Sequence, residues 1–186
     1  MNFRTIRPAT TEYGPYYDRY IQLIPAGHDP LEQLRAQQGE LHAMLGALSE
    51  EQALLRYAPG KWSIKETLGH VTDTERVFAY RALRIARGDQ QPLPGFDQDA
   101  YVAQSGADAR PLADLLREYD ATRAATLALL ESFSAETLDC LGTASDLPVS
   151  VRALSYMLAG HEAHHLQLWR ERSLPLLTPA PAAGQS

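Results

Sequence analysis

The chain has 186 residues, 45% hydrophobic and 22% charged, a length that suits one domain and a composition that buries a core. Seventeen lysines and arginines against 23 acidic residues leave a formal charge of −6, the wrong sign for gripping phosphate backbones, so nucleic acid is excluded as a partner. The single cysteine, Cys140, rules out an intramolecular disulfide and a thiolate-rich metal site, and no apolar run reaches signal-peptide or membrane-spanning length; the expectation is a cytoplasmic protein without a membrane partner.

Residues 1–28 carry Tyr13, Tyr16, Tyr17, Tyr20, Ile21 and Ile24, an amphipathic extension expected to pack across the rest of the chain or at a dimer contact. Asp29-Pro30-Leu31-Glu32 then reads as an N-cap, a proline at the first helical position and an acidic first turn. Leu31, Leu34, Leu41, Leu45 and Leu48 follow at three- and four-residue spacing, the stripe of a bundle helix. Ser49-Glu50-Glu51-Gln52 starts a short turn, and Ala58-Pro59-Gly60 breaks the chain.

Ser63-Ile64-Lys65-Glu66 is a capping box that opens a second helix to about Arg87, with Ile64, Leu68, Val71, Phe78, Ala82 and Ile85 on one face. Residues 88–110 hold two prolines, three glycines and four aspartates and read as a long ordered loop with room for one short helix. Pro111 opens a third helix along Leu112, Leu116, Tyr119, Thr126, Leu130 and Phe133; a fourth runs from about Val149 to Arg172 with Val151, Leu154 and Leu158 on its stripe. The expected fold is an all-α four-helix bundle over residues 29–174, followed by a loose tail at 175–186. The two halves echo each other weakly, each placing a Gly-His pair, Gly69-His70 and Gly160-His161, on its second helix.

The fourth helix contains Gly160-His161-Glu162-Ala163-His164-His165. Steps of three and four from Leu154 and Leu158 land on His161 and His165, so two imidazoles stand where core side chains belong. Residues four apart share a helix face with Cβ atoms about 5 to 6 Å apart, from which two ring nitrogens reach one ion at roughly 2.0 to 2.1 Å. His70, at the edge of the second helix's stripe, is the third candidate ligand. A lone histidine would read as a hydrogen-bonded core residue, but a seam pair with an inward third points to a metal. His164, rotated away from His161, is assigned to supporting the ligands or facing a substrate; His28 and His42 read as surface residues.

The same letters satisfy H-E-x-x-H, the zinc-protease signature. That signature needs a further ligand downstream, and the 21 residues after His165 hold no histidine and one carboxylate, Glu171, on the same helix. The protease reading is set aside, and Glu162 is placed on the helix surface. Glu75 and Arg123 fall inside the stripes of the second and third helices, where a charge is costly unless paired or beside a wet cavity. They are expected to point into one cavity, either as a buried ion pair or as catalytic candidates, Arg123 reading a substrate anion and Glu75 handling a proton. Trp62 and Trp169 are explained by packing, and Cys140 as a small buried residue.

Lys61-Trp62-Ser63-Ile64-Lys65-Glu66-Thr67-Leu68-Gly69-His70-Val71-Thr72-Asp73-Thr74-Glu75, with Gly160-His161-Glu162-Ala163-His164-His165 far downstream, resembles the DinB/YfiT-like superfamily of metal-binding four-helix proteins. Gly95-Phe96-Asp97 and Tyr101 also resemble its long connecting loop. The resemblance covers residues 30 to 172 and implies an up-down-down-up bundle, a homodimer, and a zinc- or nickel-type divalent ion on His70, His161 and His165, the trio already selected by spacing. Three neutral imidazoles leave the charge of such an ion uncancelled, so it can acidify water or deprotonate a coordinating thiol. Three functions follow. The preferred one is transfer of an exogenous low-molecular-weight thiol to a small electrophilic substrate; the alternatives are hydrolysis of a small substrate and a non-catalytic, stress-associated metal-binding dimer.

Overall fold

The computed structural model describes residues 2–177. Three single 3-10 turns lead into α1 (Asp18–Ile21), followed by α2 (Pro30–Leu45), the one-turn α3 (Glu50–Ala53) and the longest helix, α4 (Ile64–Ala86). Then come α5 (Gln98–Ser105), α6 (Leu112–Glu131), the one-turn α7 (Ala135–Leu138), an antiparallel hairpin of β1 (Leu141–Ala144) and β2 (Leu147–Ser150), and α8 (Val151–Leu168). The chain closes on a turn of π-helix at Trp169–Ser173 and a 3-10 turn at Leu174–Leu176. Of the tail expected at 175–186, residues 178–186 lie outside the described residues.

Local chemistry sets the helix starts. The Asp29 carboxylate accepts from the Leu31 N–H, and Pro30 has no N–H to leave unsatisfied. Ser63 and Glu66 form the reciprocal capping box, each side chain accepting from the other's backbone N–H at 2.9 Å. Ser150 caps α8 through the Ala153 N–H. The fourth helix thus begins at Val151 and not at Val149, because Val149 and Ser150 finish the second strand.

Side-chain contacts fix the directions of the four long helices. Arg35 pairs with Glu131 while His42 and Gln38 reach Asp120, so α2 and α6 are antiparallel. Gln37 donates to the Ala159 carbonyl and Glu40 pairs with Arg170 just past α8, so α2 and α8 are parallel. Ser63 and Lys65 at the start of α4 bond Asp108 and Arg110 at the start of α6, which makes those two parallel. His70 early in α4 faces His161 and His165 late in α8, which makes that pair antiparallel. The order is up-down-down-up.

Parallel neighbours explain the long connection between α4 and α6. The chain must return along a helix of about 35 Å at 1.5 Å per residue before it can start again in the same direction. On the way Leu93 pairs with the hairpin, its N–H donating to the Thr143 carbonyl at 2.9 Å and its carbonyl accepting from the Ser145 N–H at 3.0 Å. Arg81, buried on α4, holds the same stretch through the Pro94 carbonyl and the Ser145 hydroxyl. The hairpin turn places Ser145 and Asp146 at φ of 52° and 61°, the left-handed pair of a two-residue hairpin.

The apolar core forms two clusters, one around Ile21, Leu34, Phe78 and Leu154, the other around Leu45, Leu68, Tyr119 and Trp169. Cys140 is half-buried, not enclosed as expected, because it sits between α7 and β1 at the edge of the first cluster with its Sγ 3.8 Å from the Glu136 carbonyl.

Candidate metal centre

The capping box fixes the first turn of α4, and His70 follows in its second turn. The antiparallel α8 presents His161 and His165, one turn apart, to the same point. His70 Nε2 lies 3.1 Å from His161 Nε2, and His165 Nε2 lies 3.2 Å from it. All three ligand atoms fall within 4.8 Å of one another, and the rings are 5%, 6% and 6% exposed. A ring nitrogen carries either one hydrogen or one lone pair. His161 Nε2 can therefore complete a hydrogen bond with only one of the two nitrogens facing it. A cation accepts lone pairs from all three, and ligands at about 2.0 to 2.1 Å in tetrahedral geometry stand roughly 3.3 Å apart. The donor set fits a divalent ion.

Burial keeps these rings neutral. Desolvation, with a smaller contribution from His164, pushes His70 down to about 4. Desolvation and then the neighbouring imidazoles drive His161 and His165 well below the ordinary histidine value. The His165 Nδ1 has no hydrogen-bond partner among the described residues.

The N-terminal extension roofs the centre. A Cβ on Gly160 would stand 2.1 Å from the Tyr20 carbonyl oxygen, so glycine is what lets α1 lie directly on α8. The Tyr20 ring then meets His161 edge-on at 5.4 Å and His164 at 5.6 Å. On the other side Trp62 leans on His70 at 4.7 Å, and buried Trp169 lies 6.5 Å from His165. Two open clefts reach the histidines, and a small closed void between Thr74, Glu75, Glu162 and His161 adjoins them. One, of about 290 Å³, is walled by Trp62, His70, His164, His165 and Trp169, with Arg19, Lys61 and Asp99 also lining it. The other, of about 320 Å³, reaches His161 between Tyr17, Thr74, Phe78 and Phe96. Tyr16, Tyr20 and Gln98 line both.

His164 is half-buried, edge-on to His165 at 5.1 Å, and faces the first cleft. Burial lowers its pKa, with a smaller contribution from Arg19. His42 pairs with Asp120 at 2.8 Å on the surface, and His28 is exposed. Sequence reasoning missed Trp62 and the tyrosines as walls of the site. The available signal was the tyrosine spacing at 13, 16, 17 and 20, which marks an apolar face without saying what it covers.

Glu162 is not a surface residue. It is 1% exposed, because α6 stands opposite its side of α8 and supplies two partners. Its carboxylate accepts from the Tyr119 hydroxyl and pairs with Arg123. Arg123, fully buried, also binds Glu75 at 3.0 and 2.7 Å and donates to the Leu34 carbonyl at 2.6 Å. Burial raises the Glu162 pKa, only partly countered by Arg123. Burial alone would lower that of Arg123, but Glu162 and Glu75 outweigh it and the net shift is upward. Glu75 and Arg123 thus point inward together as an ion pair with Glu162 as third member, and none of the three lines either cleft.

The profile of the DinB superfamily matches residues 33–168. A protein of Oceanobacillus iheyensis named "Putative metal-dependent hydrolase" is 26% identical over 141 residues, spanning 75% of this chain and 80% of that protein. The solved structure of YfiT from Bacillus subtilis, described as "a probable metal-dependent hydrolase with an unusual four-helix bundle topology", superposes with a TM-score of 0.66. The match covers 91% of this chain and 97% of the other at 14% identity, a likeness of fold.

Proposed function

The chain belongs to the DinB superfamily, and from that premise we propose that it is a metal-dependent enzyme that transfers an exogenous low-molecular-weight thiol to a small electrophile. His70, His161 and His165 would hold the divalent ion, zinc or nickel, whose uncancelled charge acidifies a thiol or a water reaching it. The observation that carries this reading is the convergence of three neutral Nε2 atoms at the inner ends of two clefts, His70 and His165 lining the first and His161 the second, while the one carboxylate of the H-E-x-x-H segment is bound to Tyr119 and Arg123.

That distribution favours sulfur. A thiol with a free pKa of about 8.5 loses its proton beside a cation without help, whereas water, a far weaker acid, gains more from a positioned base. Glu162 is held by Tyr119 and Arg123 and lines neither open cleft, so it supplies none there. Cys140 lines neither cleft, so the sulfur comes from outside the chain. Trp62 and Trp169 give the cleft an apolar stretch of wall, and Arg19 and Lys61 offer charge to an anionic thiol compound such as glutathione.

A second reading, hydrolysis, is favoured by the names of the relatives and by His164, a neutral cleft-facing imidazole able to take a proton from water. Untagged protein prepared without chelators, analysed for metal and then given 1-chloro-2,4-dinitrobenzene with and without glutathione, and 4-nitrophenyl acetate, separates the two. Thiol- and metal-dependent conjugation supports the proposal; metal-dependent ester cleavage without thiol replaces it with hydrolysis. Absence of metal, or no metal-dependent turnover of either kind, overturns the enzymatic reading in favour of a non-catalytic protein. The homodimer belongs to the same proposal and is checked by light scattering on the eluting peak.

A further inference from the structure

The second cleft is chemically unlike the first. Arg19, Lys61 and Asp99 line the first, whereas no charged side chain among the described residues lines the second. Most of its walls are rings: Tyr17 meets Phe78 edge-on at 6.0 Å, Phe78 lies 6.2 Å from His161, and Phe96 and Tyr20 line it together with the uncharged polar side chains of Gln98 and Ser145. Its size of about 320 Å³ lies at the small end of ligand cavities.

Thr74 stands beside His161 between this cleft and the small closed void shared with Glu75 and Glu162, and is 2% exposed. Its hydroxyl has no hydrogen-bond partner among the described residues. The other threonines of the first half of α4 behave differently: Thr67 and Thr72 donate back to the Ser63 and Leu68 carbonyls at 2.8 and 3.0 Å, the usual recourse of a helical hydroxyl. A buried hydroxyl left without a partner is costly, and a ligand acceptor would relieve it.

We propose that the second cleft is a binding site for an uncharged aromatic group bearing a hydrogen-bond acceptor such as a carbonyl. Thr74 donates to the acceptor, the surrounding rings pack on the aromatic face and edges, and the bound group rests against His161. Charged co-reactants enter by the first cleft. The inference rests on the reading above for the reaction it serves, but its ligand is recognised by side chains alone.

The test is an NMR titration of the full-length protein, metal-free and zinc-loaded, with benzamide and with benzoate as probes. Benzamide should perturb the Thr74 methyl and the Phe96 ring. Its affinity should fall about five-fold or more in both Thr74→Val and Phe96→Ala, stay unchanged in Lys61→Ala in the first cleft, and exceed that of benzoate at these signals. Thr74→Val keeps the side-chain shape, and Phe96 lies on the connecting loop, so the second variant decides the matter where the first unfolds. Shifts confined to the first cleft, equal affinity of wild type and both variants, or benzoate binding as well as benzamide would overturn the proposal. Binding is read without turnover: loss of catalysis with benzamide still bound counts against the enzyme reading alone, and catalysis without this binding counts against the second site alone.

Discussion

Replacing Glu162 with glutamine separates a residue that holds the bundle together from one that performs chemistry. In the structure the carboxylate takes a hydrogen bond from Tyr119 and a charged pair from Arg123, all three within the core. Glutamine keeps an acceptor oxygen but removes the charge opposite Arg123 and adds an amide N–H₂ with no acceptor waiting. An orphaned buried donor costs about 1 to 3 kcal/mol, and breaking a buried pair outright costs about 3 to 5 kcal/mol. Burial works against the charged form of Glu162 and raises its pKa, so the expected loss lies between the orphaned-donor and broken-pair figures, at about 2 to 4 kcal/mol. For a chain of this size that is a fall in Tm of roughly 5 to 15 °C. Metal content measured on the folded variant should equal that of wild type. Tyr119→Phe should cost about 1 to 2 kcal/mol, and the double variant should lose less than the sum, since both changes break one contact. An unchanged Tm in Glu162→Gln, together with loss of metal-dependent activity, would refute the argument and return Glu162 to the role it has in zinc proteases.

Gly160→Ala sets a Cβ 2.1 Å from the Tyr20 carbonyl oxygen; overpacking of about 1 to 3 kcal/mol outweighs the helix-propensity gain of about 1 kcal/mol, so Tm should drop and hydrogen exchange across residues 16–24 should quicken, and a higher Tm would disprove the close approach. Ser63→Ala removes the cap on the Glu66 N–H and a bond to Asp108, a loss of about 1 to 2 kcal/mol readable by urea titration. In metal-free protein the folded His70 titrates near 4 against an ordinary 6.5. The unfolded chain therefore binds more protons between those values, and stability should fall as pH drops through that window. His70 alone gives a slope approaching 1.4 kcal/mol per pH unit, and urea midpoints flat from pH 6.5 to 4 would contradict the burial of the rings. Zinc at a hundred times its dissociation constant should add about 2.7 kcal/mol to the metal-free protein, and differential scanning calorimetry should show no such gain in His161→Ala.

Some of this architecture is written in local chemistry. Asp29-Pro30 and the Ser63-Glu66 box start their helices wherever the chain lies, because a cap satisfies backbone groups within one turn of itself. His161 and His165 announce themselves by standing four apart on a stripe of Val151, Leu154 and Leu158. The hairpin at 141–150 escapes such reading. Its turn puts Ser145 and Asp146 in left-handed conformations with no glycine to signal them, and it is held by Leu93 from the crossover and packed so closely on α4 that a Cβ on Gly142 would stand 2.6 Å from Ile85.

Glu162 shows where the boundary falls. One residue off the stripe, it reads as solvent-facing until α6 brings Tyr119 and Arg123 against it. The tyrosines of the extension likewise declare an apolar face, but only the contact of α1 with Gly160 makes them the roof of a histidine cluster and divides its access into two unlike clefts. Periodicity tells which side of a helix turns from water. What stands opposite that side is set by segments remote along the chain, and so is decided by tertiary packing.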